Sequence, residues 1–430
     1  MNFYSNLKKT KKTAEKIWKI FPLFLTSFFI LSCSSKAEKQ RLYEIAVQDS
    51  KKTAIEQFVS QLPENVKISQ LFLVNIEGNK NYIPVEKTGS LYGRKNEGEP
   101  LLPGGCLFFS YNIADSKEQV RSFINSINSF YSKNNNVLPF IAVDQEGGSV
   151  NRLRKFTGNF PSEKYISQNF DEAKARELYE KQASQMAELG FNMNLAPVVE
   201  VETLENAGFL DTRSFGSLEK VLFYAPLEIN AFENQKIATV LKHFPGNSNT
   251  DPHTGLPEIK ISSERLKNEL LEPFKKLLPL SSSVLMSHAR ITVEDDPSYC
   301  DSSIPACLSE FWVTKVLRED FGFEGLVLSD DIFMGALADN GFLSEDAAIR
   351  AIEAGVNIIM LSEKRFGSVA KILLKKASES QEFNKKIQKS VQKIIEYKIK
   401  GGLLELRQID FDSDGKKLKV PAFKVVAADF

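Results

Sequence analysis

The chain has 430 residues, 42% of them apolar and 26% charged, with basic and acidic side chains in equal number and a formal net charge of zero. That balance excludes a nucleic-acid binder built on a basic surface, and the apolar share excludes an intrinsically disordered chain. The length suits two or three average domains or one large α/β barrel.

In chain order, the first signal lies at the N-terminus. Residues 1–32 hold six lysines against Glu15, a local charge of +5 that leaves −5 for the rest. Phe21 to Leu31 is an apolar run of eleven residues, too short for a bilayer core that takes about 20 helical residues. It closes on Ile30-Leu31-Ser32-Cys33, an apolar stretch and a small residue before Cys. This reads as a lipoprotein signal peptide over 1–32, with Cys33 lipidated as an anchor to a bacterial membrane and the protein exported to the periplasm or the cell surface. The alternatives are a signal cleaved elsewhere and a cytosolic chain with an apolar N-terminus. Residues 33–62 are charged and helix-friendly, a tether followed by a leading helix.

From residue 63 to 400 a rhythm predicts one catalytic domain. Short apolar runs occur at Ile68–Val74, Cys106–Ser110, Leu138–Val143, Met193–Val199, Ala238–Leu241, Val284–Ser287, Gly325–Ser329 and Val356–Leu361. Helical periods separate them, as at Ala173–Leu189, Ser263–Leu278 and Ser309–Phe321. Eight apolar runs alternating with amphipathic helices predict the α/β class, specifically a (β/α)8 TIM-like barrel. Val369–Lys398 reads as one lysine-rich helix with a solvated face. In the tail, 401–430, Asp410, Asp412, Asp414 and Gly415 resemble a calcium loop but lack its distal glutamate, so a polar turn is expected. Cys106, Cys300 and Cys307 fit neither a disulfide framework nor a zinc site. A Cys300–Cys307 bridge and free thiols both stay open. No motif calls for a cofactor or a metal.

Barrel chemistry sits at the C-terminal ends of the strands, and the unusual polar clusters fall there. They are Asp144-Gln145-Glu146-Gly147-Gly148 with Arg152 and Arg154, then Asp211-Thr212-Arg213, then Lys242-His243 with Asp251-Pro252-His253. His288 and Arg290 follow the sixth run, and Asp330-Asp331 the seventh. Charges abutting apolar runs are costly unless a cleft receives them. Such a set suits a sugar, whose vicinal hydroxyls take directional, charge-assisted hydrogen bonds. Asp330 can act as a nucleophile and His253 as a proton donor oriented by Asp251. The alternative for any one of these residues is a salt bridge or cap at the barrel rim.

These motifs, in order over residues 66–365, resemble glycoside hydrolase family 3 in its β-N-acetylhexosaminidase branch. The resemblance rests on Ala142–Gly148 with Arg152, Phe191-Asn192 with Leu195–Val198, Arg213–Gly216, and Lys242–Gly246. It continues through Asp251 and His253, Met286–His288, Pro305–Ser309, Phe321–Gly325, Ser329–Met334 and Ala354–Val356. It implies Asp330 as nucleophile, with His253 and Asp251 as an acid/base dyad. It places Asp144, Arg152, Arg213, Lys242, His243, His288 and Met334 on the bound sugar. Three departures stand out: the link Asn247–Thr250 is shorter than the family's, Pro252 replaces a small polar residue, and Ser149 stands where an arginine is usual.

The expected function is a retaining exo-hydrolase that removes terminal β-linked N-acetylglucosamine, with peptidoglycan fragments as one source of amino-sugar glycan. The alternatives are a phosphorylase or β-glucosidase-like member of the family, and a non-catalytic sugar-binding lipoprotein.

Overall fold

The computed structural model describes residues 36–428, so Cys33 and the expected signal peptide lie outside the described residues. Two compact units divide the chain.

The larger unit, residues 55–407 and 425–430, is built on eight parallel strands. They are β1 (Phe72–Asn75), β2 (Gly105–Phe108), β3 (Phe140–Val143), β4 (Met193–Asn194), β5 (Ala238–Phe244), β6 (Ser283–Met286), β7 (Leu326–Ser329) and β8 (Ile359–Leu361). Their spatial order follows the sequence, with β8 beside β1. A parallel bridge between Leu328 and Ile358 joins β7 to β8, backed by the bond from Ser329 N to Ile358 O at 2.9 Å. The ring thereby closes as the (β/α)8 barrel that the apolar runs predict. Nearly every strand residue is buried, which is why these segments read as continuous apolar runs rather than as alternating ones.

The strand β4 is shorter than the predicted Met193–Val199. Pro197 cannot donate to a ladder, and the Asn194 side chain substitutes for pairing. Its Oδ1 accepts from Gln145 N at 3.0 Å, and its Nδ2 donates to Gln145 O at 3.1 Å. Glycine is required where β2 begins, since a Cβ on Gly104 would lie 2.3 Å from Gln70 O.

The helix Glu172–Leu189 starts where Asp171 accepts from Lys174 N and stops at Gly190, whose φ is +98°. These are the cap signals its sequence carries. Elsewhere the helices depart from expectation. Ser263–Leu278 divides into α-helical pieces around a π-helical turn, Leu266–Leu271, and Phe311–Asp320 is wholly π-helical. Val369–Lys398 is two helices, Gly367–Glu379 and Gln381–Lys400, because Ser380 leaves the helical conformation and its hydroxyl caps the second at Phe383 N.

The expected solvated face is also corrected at its end: Lys398 is fully buried. Its amine donates to Gln70 Oε1 at 2.6 Å and Gly104 O at 2.8 Å. Cys106, Cys300 and Cys307 are free thiols.

The smaller unit holds the helix residues up to Ala54 and hairpin residues 408–424. Within it Ser50 donates to Pro421 O at 2.8 Å, and Lys51 lies over the Phe423 ring. The Asp-rich segment is a turn in which Asp412 Oδ1 accepts from the backbone of Asp414 and Lys416. The two strands around it, Leu404–Phe411 and Lys417–Ala427, were not anticipated. Among the described residues no group of acidic, cysteine or histidine side chains is placed to hold a metal ion, and no helix is long and apolar enough to cross a membrane.

Candidate active site

The C-terminal ends of β3, β4 and β5 converge on an alternating charge cluster. Lys242, at the end of β5, is 3% exposed, and its Nζ lies 2.6 Å from Asp144 Oδ1 and 2.5 Å from Glu146 Oε1. Arg213 grips the same Glu146 through both oxygens, Nε to Oε2 at 2.8 Å and Nη2 to Oε1 at 3.0 Å. Two cations and two carboxylates therefore balance one another. Burial alone would push the Glu146 carboxyl up, but the Lys242 and Arg213 charges outweigh it and hold the group at about 2. Burial pulls Lys242 down, and Asp144 and Glu146 more than restore it. Opposite charges at contact distance account for both directions.

Local chain geometry brings these groups together. Pairing between β5 and β6 slips between Leu241 and Phe244, so one extra residue is accommodated in β5 at Lys242-His243. A bulge of this kind re-aims side chains. Gly147 and Gly148 turn sharply, at φ +104° and +54°, and a Cβ on Gly147 would meet Pro161 O at 2.3 Å.

His243 does not join the lysine cluster. Its Nδ1 lies 2.6 Å from Glu200 Oε1, beyond the end of β4. Arg152 is half-buried, and its Nε has no partner among the described residues.

Asp330 follows β7 directly, and its Oδ1 accepts from Asp331 N at 2.8 Å. Asp331 is buried, its carboxyl pushed up by that burial, and it accepts from Phe333 N. It braces the turn. Met334 is nearly buried in the same turn.

His288, expected on the sugar, is fully enclosed instead. Its Nε2 lies 3.0 Å from Asp331 O and its Nδ1 3.1 Å from Cys307 Sγ. With both ring nitrogens occupied, it supports the Asp330-Asp331 turn from beneath. Burial lowers its pKa.

The dyad is formed. Asp251 Oδ1 receives the backbone N–H of His253 at 2.9 Å and lies 2.7 Å from its Nδ1. Those contacts hold the Asp251 carboxyl below its ordinary range, the backbone bond contributing most. The His253 side chain is 72% exposed. Its loop is tied to the segment after Asp330, since Ala336 N donates to Pro252 O at 3.1 Å. A Cβ on Gly335 would lie 2.9 Å from His253 O, so glycine permits this approach.

Residues 66–397 match the glycosyl hydrolase family 3 N-terminal domain. The chain belongs to that family. This family 3 chain is 30% identical to beta-hexosaminidase A of Pseudoalteromonas piscicida over 274 residues, covering 60% of itself but only 45% of that relative. It is 31% identical to a beta-hexosaminidase of Psychromonas ingrahamii over 279 residues, 63% of this chain and 78% of the other. Among solved structures it resembles a family 3 beta-N-acetylglucosaminidase from Paenibacillus sp. str. FPU-7, with a TM-score of 0.67 and 25% identity. That match covers 79% of this chain and 63% of the other.

Four buried carboxyls near this cluster have no role that the sequence indicates. Glu146 sat inside a flagged cluster without a role, and Glu200 follows the apolar stretch Leu195–Val199 as the other flagged charges follow theirs. Glu163 and Glu228 gave no signal, each sitting on a helix. Both are buried, and neither Glu228 oxygen has a hydrogen-bond partner among the described residues. Burial pushes both carboxyls well above the usual range, with Glu228 adding to the rise at Glu163 and Glu146 adding to it at both.

Proposed function

We propose that this chain is a retaining exo-hydrolase that removes terminal β-linked N-acetylglucosamine from amino-sugar glycans, peptidoglycan fragments among them. Lys242, Arg213, Asp144, Arg152 and His243 bind the terminal sugar. Asp330 attacks the anomeric carbon while His253 Nε2 gives its proton to the departing oxygen, leaving the sugar esterified to Asp330. His253 then takes a proton from water, the hydroxide attacks the anomeric carbon, and Asp330 leaves as carboxylate. Asp251 accepts the Nδ1 proton throughout, which keeps Nε2 as the reactive nitrogen. The ring is the imidazolium in the first step and the neutral base in the second.

The observation carrying this reading is the contact between the loop of the Asp251–His253 pair and the segment after Asp330. Lipidation of Cys33 would tether the protein to a membrane outside the cytoplasm. Metabolic labelling with a fatty acid, lost on Cys33→Ser, tests that part.

The enzymatic part is tested with an aryl β-N-acetylglucosaminide: the purified protein should release the chromophore. Asp330→Ala should abolish release while N-acetylglucosamine still binds in calorimetry. An active Asp330→Ala protein, or folded protein without turnover across a broad pH range, overturns the assignment.

A further inference from the structure

We infer that Glu200 is a positioning residue that fixes the tautomer of His243 and thereby sets the affinity of the terminal sugar subsite. The inference rests on the reading above that His243 contacts the sugar.

Glu200 is 3% exposed, just past the end of β4. One of its oxygens, Oε1, gathers three groups of the β5 segment: His243 Nδ1 at 2.6 Å, His243 N at 3.2 Å and Asn247 Nδ2 at 3.3 Å. A carboxylate only accepts, so at this separation the proton sits on Nδ1. The other ring nitrogen, Nε2, has no partner among the described residues and is the one left for a ligand. In the neutral ring that nitrogen is a lone-pair acceptor and accepts a hydrogen bond from a sugar hydroxyl. Without the carboxylate, the neutral ring is free to move its proton to Nε2, which turns that acceptor into a donor.

The same residue braces a second sugar-holding element. Its backbone O accepts from Ser214 Oγ at 2.6 Å, next to Arg213. A side-chain substitution at Glu200 leaves that backbone bond available, so its effect reports on His243 rather than on the Arg213 loop. Phe209 stands edge-on to the His243 ring, with centroids 6.1 Å apart, and limits rotation of the imidazole. Asn247 in the shortened link contributes its amide to the same oxygen, so the departure from the family pattern at this position feeds directly into the His243 pair.

Hydrogen bonds to the far nitrogen of a metal-ligating imidazole change affinity or activity about 10–100-fold when removed, and the same orienting role sets the scale expected here. The test uses the full chain with Glu200→Gln and Glu200→Asp, alongside His243→Asn to assign its resonances among the three histidines. Three readouts are compared: KM and kcat on an aryl β-N-acetylglucosaminide, N-acetylglucosamine binding by calorimetry, and 15N shifts of the histidine rings.

Glu200→Gln should raise KM and weaken sugar binding about 10-fold, with kcat changed by much less. The ring shifts should move from one tautomer to a mixture. Glu200→Asp, which keeps the charge, should recover part of the affinity and the single tautomer. An unchanged His243 tautomer in Glu200→Gln overturns the inference, as does an equal loss of kcat and folding stability in both variants. Should the protein bind N-acetylglucosamine but turn over no glycoside, binding and ring shifts still decide the role of Glu200 while the hydrolytic reading fails.

Discussion

At the C-terminal end of the strands Lys242 lies between two carboxylates, whereas at the N-terminal end Lys398 donates to the oxygens of Gln70 and Gly104. Both amines are buried, and burial opposes charge in each. Beside Asp144 and Glu146 the pKa rises nonetheless; beside neutral carbonyls it falls to about 7. The difference teaches how one barrel separates its tasks. Charge is compensated by charge at the end of the proposed sugar site. At the other end the lysine serves as a hydrogen-bonding plug, its stem reaching buried carbonyls and its amine lying over the Phe140 ring.

The largest test of this contrast is Lys242→Met. It strands Glu146 and Asp144 beside a single guanidinium, and breaking a buried pair from one side costs about 3–5 kcal/mol. Denaturant unfolding should show that loss, and N-acetylglucosamine binding should disappear with it. A stability change close to zero would mean that the carboxylates are not held by Lys242.

Next comes the buried acid pair on the helices. Replacing Glu228 with Leu should stabilise the protein by about 1–3 kcal/mol by removing an unpartnered carboxyl. Because its folded pKa is raised, the folded state binds a proton that the unfolded chain releases above about 4.5. The cost therefore grows with rising pH, and the gain from Glu228→Leu should be larger at pH 8 than at pH 5. A gain that does not vary with pH would mean that the group is ionised in the fold.

The pH dependence of stability separates the two lysine ends further. Glu146, held at about 2, contributes stability that is complete above its unfolded value and is lost as pH falls from about 4.5 towards 2. For Lys398 the unfolded chain binds a proton below about 10.5, but the folded protein does so only below about 7. Stability at this site is therefore lost as pH falls from about 10.5 to 7 and levels off below. Lys398→Met should flatten that alkaline slope. Parallel pH–stability curves for the two proteins would show that the amine titrates normally.

Much of this was legible beforehand. Eight apolar runs marked the eight strands within a few residues, because strands buried on both faces must be apolar throughout. Asp144, Lys242, His243 and Asp330 were visible because a charge directly against such a run needs a receiving cleft. Lys398 was not: a lysine at the end of a lysine-rich helix looks solvated, and only packing against the start of β1 and β2 shows otherwise. Glu163 and Glu228 were hidden for the same reason, since helical spacing does not reveal which neighbour covers a face. His288 was placed at the correct strand end but given the wrong surroundings, because its two ring contacts come from Asp331 and Cys307, 43 and 19 residues further along.

The sequence by itself determined the barrel, the order of its strands and the end at which the polar groups gather, since periodicity and local charge are properties of neighbouring residues. Only the tertiary structure decided which carboxylate meets which cation, which histidine stays open to a ligand, and which lysine is enclosed. Those are contacts between segments far apart in the chain, and their electrostatics depend on the burial that closing the ring creates.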